Sequence, residues 1–205
     1  MGDKKDTKIV VVVGGCGTGK TSLVEKVIED YLNDVPFELE DSCENKVAKK
    51  LVTHTTRKPR VEDGEVDGED YHFVSKEEFD ELELIEETKR SNSKYGLSKK
   101  ELEESIYKYE YLFIVMDRYG LKSLKEEYPE KTTGIYIYSD PEAAKKRMEK
   151  RGDSEEKIEK RINQAIREKE FNINYMLQDM GYMIWNKEGE FQLSNEIFIK
   201  IIEKL

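Results

Sequence analysis

An eight-residue stretch near the N-terminus carries the pattern most directly tied to a reaction. Residues 14–21 match G-x-x-x-x-G-K-[ST] throughout, and glycines in such a loop let backbone N–H groups converge on phosphate oxygens. Lys20 is expected to reach the β- and γ-phosphates of a nucleoside triphosphate, and the Thr21 hydroxyl to bind Mg²⁺. The predicted triphosphate site consists of Gly14, Gly15, Cys16, Gly17, Thr18, Gly19, Lys20 and Thr21.

A second set of side chains has the chemistry to hold another phosphate. Arg57 and Arg60 lie three positions apart, and two guanidinium groups can form a bidentate clamp on a phosphate group. Tyr71 and Tyr95 can add hydroxyl donors to that clamp. The sequence therefore predicts two separate phosphate sites.

The spacing of apolar residues shows which elements position these groups. Residues 8–13 form a continuous β-branched run, typical of a strand buried on both faces, and apolar residues recur at helical spacing over 20–33. Further strands are predicted at 71–74, 111–116, 134–138 and 182–185. Further helices are predicted at 76–84, 99–108, 141–151, from 153 to 176, at 195–204 and, as a short segment, ending at Lys50. The alternation predicts an α/β fold with a mostly parallel sheet flanked by helices.

The composition limits the partners that this chain can attract. Its 205 residues include 45 acidic and 35 basic side chains, for a net charge of −10. Such a surface does not draw in nucleic acid or anionic membranes, so an anionic ligand must be bound by a few local cations. We expect no membrane-spanning segment and no signal peptide. Cys16 and Cys43 are then expected to be free thiols of a cytoplasmic protein.

The order of the motifs resembles that of the guanylate kinase family. The family carries T-T-R-x-x-R, then G-E-x-x-G-x-D-Y-x-F, then a lone glutamate, then Y-G-[ST]. Glu86 stands nine residues before the Tyr95-Gly96 pair, which is the spacing that the family uses. The first two blocks are matched here by Thr55, Thr56, Arg57, Arg60, Gly64, Glu65, Gly68, Asp70, Tyr71 and Phe73.

The resemblance covers about residues 8–200 and implies a P-loop NTPase-type fold. It implies a single domain over 1–205, with the phosphate loop at 14–21 in its core. A nucleotide-monophosphate-binding subdomain would be inserted at about 51–100, and a helical lid would cover about 147–165. The implied reaction is the ATP-dependent phosphorylation of GMP and dGMP by in-line transfer, with Mg²⁺ bound alongside ATP.

The resemblance also assigns roles to individual residues. Glu86 would read the base, because a carboxylate can accept both the N1–H and the 2-amino group of guanine, whereas adenine would leave it unpaired. Arg147 and Arg151 share a helix face and would form, with Arg161, a lid over the ATP phosphates. Asn186 would contact adenine. The implied GMP-binding residues are Thr53, Arg57, Arg60, Tyr71, Glu86, Tyr95, Gly96 and Asp117, and the implied catalytic residues are Lys20, Arg57, Arg147, Arg151 and Arg161.

Two positions depart from the family pattern and leave other functions open. Leu97 follows Tyr95-Gly96 where the family has Ser or Thr near guanine, and Val115 replaces the first Asp of a D-x-D pair associated with metal and lysine. A related kinase with another phosphorylated acceptor, such as a different nucleoside monophosphate or a sugar phosphate, is one alternative. A non-catalytic phosphopeptide-binding module is another, although such modules tend to degrade the phosphate loop, and Lys20 and Thr21 are intact here.

Overall fold

A computed structural model describes residues 6–32, 47–60, 64–90 and 92–205 of the chain. Its strands are β1 Lys8–Val13, β2 Ala48–Leu51, β3 His54–Thr55, β4 His72–Phe73, β5 Leu84–Arg90, β6 Ser93–Ser98, β7 Tyr111–Val115, β8 Thr132–Tyr138 and β9 Tyr182–Trp185. Its α-helices are α1 Lys20–Val27, α2 Lys76–Asp80, α3 Lys99–Ser105, α4 Arg118–Glu127, α5 Pro141–Lys150, α6 Glu155–Arg167, α7 Ile173–Met176 and α8 Phe191–Ile202. Within these described ranges, no helix is both long enough and apolar enough to cross a membrane.

Strand β1 lies in the middle of the central sheet, between β7 and β8. The strand order is β2-β7-β1-β8-β9, and every pairing is parallel. The carboxyl ends of parallel strands meet at one edge, where loops are free to bind ligands. The phosphate loop after β1, Asp117 after β7 and Asn186 after β9 therefore all start from the same edge.

Alternate residues of β1 supply two separate apolar cores. Val10 and Val12 face a cluster that includes α1 and α8, while Ile9 and Val11 face a cluster that includes α3 and α4. Because both faces are covered, the strand is apolar throughout, as the β-branched run predicted.

A second, smaller sheet stands beside the first in the chain segment predicted as the subdomain. Its order is β4-β3-β6-β5, with β3 and β4 parallel and the other pairs antiparallel. Leu51, the first residue of the predicted subdomain, instead ends β2 of the central sheet. The predicted lid at about 147–165 covers the end of α5 and most of α6.

The elements differ from the predictions where tertiary pairing overrides local pattern. The predicted helix ending at Lys50 is wrong there, because that residue lies in β2, paired in parallel with β7; most of the preceding segment lies outside the described residues. The helix predicted from 153 to 176 is two helices, α6 and α7, separated by Lys169 at φ 58°. The helix predicted over 20–33 is α-helical only to Val27 and continues as a π-helix over Ile28–Leu32.

Several elements were not predicted at all. Helix α4 begins where Asp117 accepts hydrogen bonds from the backbone N–H groups of Tyr119 and Gly120. Its apolar face contains little more than Leu121 and Leu124, and Gly120 interrupts the pattern. Strand β5 has the sequence Leu-Ile-Glu-Glu-Thr-Lys-Arg. Some of its polar residues line a cavity, and in the sequence such residues cannot be distinguished from a solvated acidic segment.

Replacing Phe113 by alanine should destabilise the central sheet. Phe113 is fully buried on β7, and its ring packs edge-on against Phe198 with centroids 6.0 Å apart. We expect Phe113→Ala to lower the free energy of unfolding by about 3–5 kcal/mol, measured by urea denaturation. The control is Leu193→Ala on the exposed face of α8, which should change it by less than about 0.5 kcal/mol. Equal losses in the two variants would contradict this assignment of the core.

Candidate active site

The phosphate loop has the backbone shape that anion binding requires. Gly19 precedes α1 at φ 87°, in the left-handed region, and a Cβ there would lie 2.6 Å from Nδ2 of Asn186. Only glycine fits both demands. The loop therefore presents the N-terminus of α1 to a ligand, with Lys20 and Thr21 as the first two helical residues.

Lys20 folds back across the mouth of its own loop. Its Nζ donates hydrogen bonds to the carbonyl oxygens of Gly14, at 2.8 Å, and Gly15, at 2.7 Å. These are neutral partners, so a phosphate oxygen can replace one of them with a gain in Coulomb attraction. Cys16 lies beside Lys20 in the loop, and burial raises the pKa of its thiol, which disfavours a reactive thiolate.

The structure places the side chain of Asn186, predicted to contact adenine, behind the phosphate loop. Its side chain is fully buried beneath the loop, where Nδ2 donates to the carbonyl of Thr18 at 2.9 Å and Oδ1 accepts from Ser194 at 3.2 Å. Both ends of the amide are used inside the protein. The residue therefore supports the loop from behind and does not open into the cavity.

Arg147 also acts on the backbone behind the loop. Its guanidinium donates to Ser139 Oγ at 2.7 Å and to the carbonyls of Gly17, Asn186 and Lys187 at 3.3, 2.8 and 3.0 Å. This network joins α5, the phosphate loop and the end of β9. It fixes the loop's geometry from a position outside the cavity lining.

One cavity of about 420 Å³ joins the loop to the second sheet. Gly15, Gly17, Thr18, Gly19, Thr21, Gly96, Arg147, Arg151 and Asn186 are outside its lining. Of the predicted site residues, the lining includes Gly14, Cys16, Lys20, Thr53, Arg57, Arg60, Tyr71, Glu86, Tyr95, Asp117 and Arg161.

The arginine clamp is organised by Glu65, which the sequence indicated only as part of a motif. Glu65 receives two hydrogen bonds from the Arg57 guanidinium, at 2.5 and 2.7 Å, and one from the backbone N–H of Arg60 at 2.8 Å. Burial opposes its ionisation, but these donors hold the pKa of Glu65 below its usual value. Its place in the G-E-x-x-G block was the signal that could have identified it.

Aromatic rings complete the clamp. The Arg57 guanidinium lies 4.8 Å from the ring centroid of Tyr71, and the rings of Tyr71 and Tyr95 pack edge to face at 5.8 Å. Burial raises the pKa of the Tyr71 hydroxyl, so it remains a hydrogen-bond donor at neutral pH. Nε of Arg57 is buried and has no hydrogen-bond partner among the described residues. The corner thus offers an unused donor to an anion.

Glu86 lines the same cavity as the arginine clamp. Burial and the nearby carboxylate of Asp117 raise the pKa of Glu86 to about 7. Asp117 itself caps α4, and a Cβ on Gly120 of that helix would lie 3.3 Å from Cδ of Glu86. The half-buried side chain of Glu86, on β5, therefore packs closely against the start of α4 and lines the cavity.

Gly96 and Leu97 explain how β6 supports this part of the cavity. A Cβ on Gly96 would lie 2.8 Å from the carbonyl of Glu86, so glycine is needed for β5 to approach. Leu97 pairs directly opposite Glu86 but is fully buried in the apolar cluster beside α3 and α4. Leu97 therefore offers neither hydroxyl nor amide to a ligand through its side chain.

Two of the three predicted lid arginines, Arg151 and Arg161, converge on one buried carboxylate. The side chain of Asp153, between α5 and α6, is completely buried and pairs with Arg151, with Lys157 Nζ at 3.1 Å and with Arg161 Nη1 at 3.5 Å. Burial, Arg60 and Arg151 all lower the pKa of Arg161, and its Nη1 is buried without a hydrogen bond among the described residues. Arg161 is thus a cation that lacks a full set of partners at the cavity wall.

Comparison with known proteins identifies the family. A family model described as guanylate kinase matches residues 6–180. The chain is 32% identical to a guanylate kinase of Clostridioides difficile over 188 residues, covering 88% of this chain and 80% of that protein. It is 31% identical to a guanylate kinase of Helicobacter pylori over 205 residues, covering 98% and 88%.

A solved structure supports the same fold. The crystal structure of guanylate kinase from Anaplasma phagocytophilum matches with a TM-score of 0.67 at 22% identity, covering 98% of this chain and 86% of that one. At that identity the likeness concerns the fold, while the sequence matches establish the relationship. On the strength of the family model and of these relatives, the chain belongs to the guanylate kinase family.

Proposed function

We propose that this protein transfers the γ-phosphoryl group of ATP to GMP and also to dGMP. The observation that carries the proposal is the single cavity of about 420 Å³ that contains Lys20 of the phosphate loop, the Arg57–Arg60 clamp and Glu86. Two candidate phosphate-binding groups in one cavity suit a reaction between two phosphorylated substrates. The half-buried acid Glu86 in the same cavity suits an acceptor that carries a base.

The chemistry requires positioning and charge rather than a side-chain nucleophile. With ATP on the loop and the acceptor phosphate on Arg57 and Arg60, an acceptor phosphate oxygen attacks the γ-phosphorus in line. The new P–O bond forms as the bond to the β-phosphate oxygen breaks, and ADP leaves. Lys20, Arg151 and Arg161 stabilise the charge on the transferring group, and Nη1 of Arg161, which has no hydrogen bond among the described residues, gains an acceptor.

Few side chains of the described residues are candidates to bind Mg²⁺. No cluster of three or more His, Cys, Asp or Glu able to hold a metal occurs among the described residues, and Val115 supplies no carboxylate. This fits a hard cation held mainly by nucleotide phosphates and water, with Thr21 as the one protein ligand that we assign. When bound, Mg²⁺ neutralises developing phosphate charge.

Guanine matches the acceptor corner better than the other bases do. The ionised carboxylate of Glu86 can accept N1–H and the 2-amino group together, whereas adenine would leave that buried charge unpaired. Thr53 and Asp117 border the same corner. A sugar phosphate would make no use of Glu86, so this alternative is less well supported, and the intact loop disfavours a purely binding role.

Turnover with each monophosphate tests the proposal directly. We expect ADP release from ATP and Mg²⁺ to be fast with GMP and dGMP and at least about a hundredfold slower with AMP, CMP or UMP. Lys20→Ala, purified in the same way, should lose nearly all of this activity and so exclude a contaminating kinase. Failure of both GMP and dGMP to react would overturn the proposed function.

Removing the charge of Glu86 should remove the preference for guanine. In Glu86→Gln the amide presents a donor to one of the two guanine donors, so kcat/KM for GMP should fall by about two to three orders of magnitude. Calorimetric binding of a non-hydrolysable ATP analogue should be unchanged. The matched control is Glu87→Gln, whose side chain is 38% exposed and lies near Lys89 and Lys94. Similar losses in the two variants would remove Glu86 from the site.

Acid should weaken GMP recognition through the same carboxylate. Because the pKa of Glu86 is about 7 and only the ionised form accepts both guanine donors, kcat/KM for GMP should fall about tenfold between pH 8 and pH 6. Phosphate monoesters titrate near pH 6, so the Glu86→Gln profile serves as the baseline for the substrate. If kcat/KM for GMP still falls through pH 7 in Glu86→Gln, a group other than Glu86 causes the pH dependence.

A further inference from the structure

We infer that Thr88 is a positioning residue for the base-reading carboxylate: its hydroxyl holds Glu86 in the orientation that receives guanine. This inference rests on the proposed function for its consequence in catalysis. The hydrogen bond on which it depends is independent of that function.

The geometry places Thr88 on the same face of β5 as Glu86, two residues further along. Thr88 Oγ1 donates to Glu86 Oε2 at 3.0 Å, and both residues line the cavity together with Tyr95, which pairs opposite Thr88 on β6. Among the described residues, this is the one hydrogen bond that the Glu86 carboxylate receives. The carboxylate orientation therefore depends on the Thr88 hydroxyl.

The surroundings of Glu86 make such a donor valuable. Asp117, at the start of α4, and Glu87, next in sequence, are the charged groups that act on Glu86, and both disfavour its ionisation, as burial does. From β6, Leu97 lies opposite and is apolar. The hydrogen bond from Thr88 opposes these effects, because it favours the charged form of Glu86.

A neutral donor suits this role better than a cation would. An arginine or lysine in contact with Glu86 would neutralise the charge that guanine needs and would compete for the same oxygens. A hydroxyl occupies one of the two lone pairs of Oε2. Oε1 and the remaining lone pair of Oε2 stay available for N1–H and the 2-amino group.

The experiment compares Thr88→Val, which keeps the branched shape but removes the donor, with Thr88→Ser, which keeps the donor. In Thr88→Val the acid limb of kcat/KM for GMP should move up by about one pH unit, because losing a hydrogen bond to a charged group shifts its ionisation about tenfold. At pH 7, kcat/KM for GMP should fall about five- to tenfold, KM for ATP should not change, and the defect should shrink at pH 9. Thr88→Ser should keep the wild-type limb.

Two results would overturn the inference. One is a Thr88→Val profile that superimposes on the wild type. The other is a loss that is the same at every pH, extends to ATP and is shared by Thr88→Ser, as expected for a purely structural role.

A second measurement separates this inference from the proposed function. Carboxyl-carbon NMR of the substrate-free protein reports the pKa of Glu86 directly, and Thr88→Val should raise that pKa whether or not GMP is the acceptor. Absence of turnover in the wild type would refute the function alone. An unchanged Glu86 titration in folded Thr88→Val would refute the role of Thr88 alone.

Discussion

Repulsion between like charges governs how this site is built. Arg161 carries its charge beside Arg60 and Arg151, and these neighbours, together with burial, disfavour it. A cavity that is to receive two phosphate chains must hold such cations close together before either chain arrives. Each cation therefore has an internal partner: loop carbonyls for Lys20, Glu65 for Arg57 and Asp153 for Arg151 and Arg161.

This constraint gives the acidic composition of the chain a specific meaning near the cavity. The net charge of −10 is a property of the whole chain, but the largely buried Glu65 and the buried Asp153 have as partners the arginines that we propose to bind phosphate. Burial raises the free energy of an unpaired carboxylate or guanidinium, so each acid and its arginine partner stabilise one another. The fold brings them together by placing Glu65 in the turn before β4 and Asp153 in the turn between α5 and α6.

The sequence predicted those parts of the site whose functional residues lie close together along the chain. The phosphate loop, the Arg57–Arg60 pair and the spacing from Glu86 to Tyr95 are short-range patterns, and all three contribute to one cavity. Contacts set by tertiary packing were not accessible. Asn186 follows a predicted strand, but only the three-dimensional structure shows that its amide joins Thr18 to Ser194. Strands β5 and β6 were missed because their polar residues, several of which line the cavity, look like exposed polar chain in the sequence.

The partners of the arginines divide them into two kinds. Arg147 is held by Ser139 and by carbonyls of the loop and of the chain after β9, all of which are neutral groups. Arg57 and Arg151 are held by carboxylates, which resemble phosphate in charge and in the geometry of their oxygens. A carboxylate-held arginine can exchange its partner for a phosphate and stay paired at every stage, whereas Arg147 would have to give up four hydrogen bonds that shape the loop. The role of Arg147 in the lid stays a prediction from the resemblance; in this structure its guanidinium supports the phosphate loop and the chain after β9.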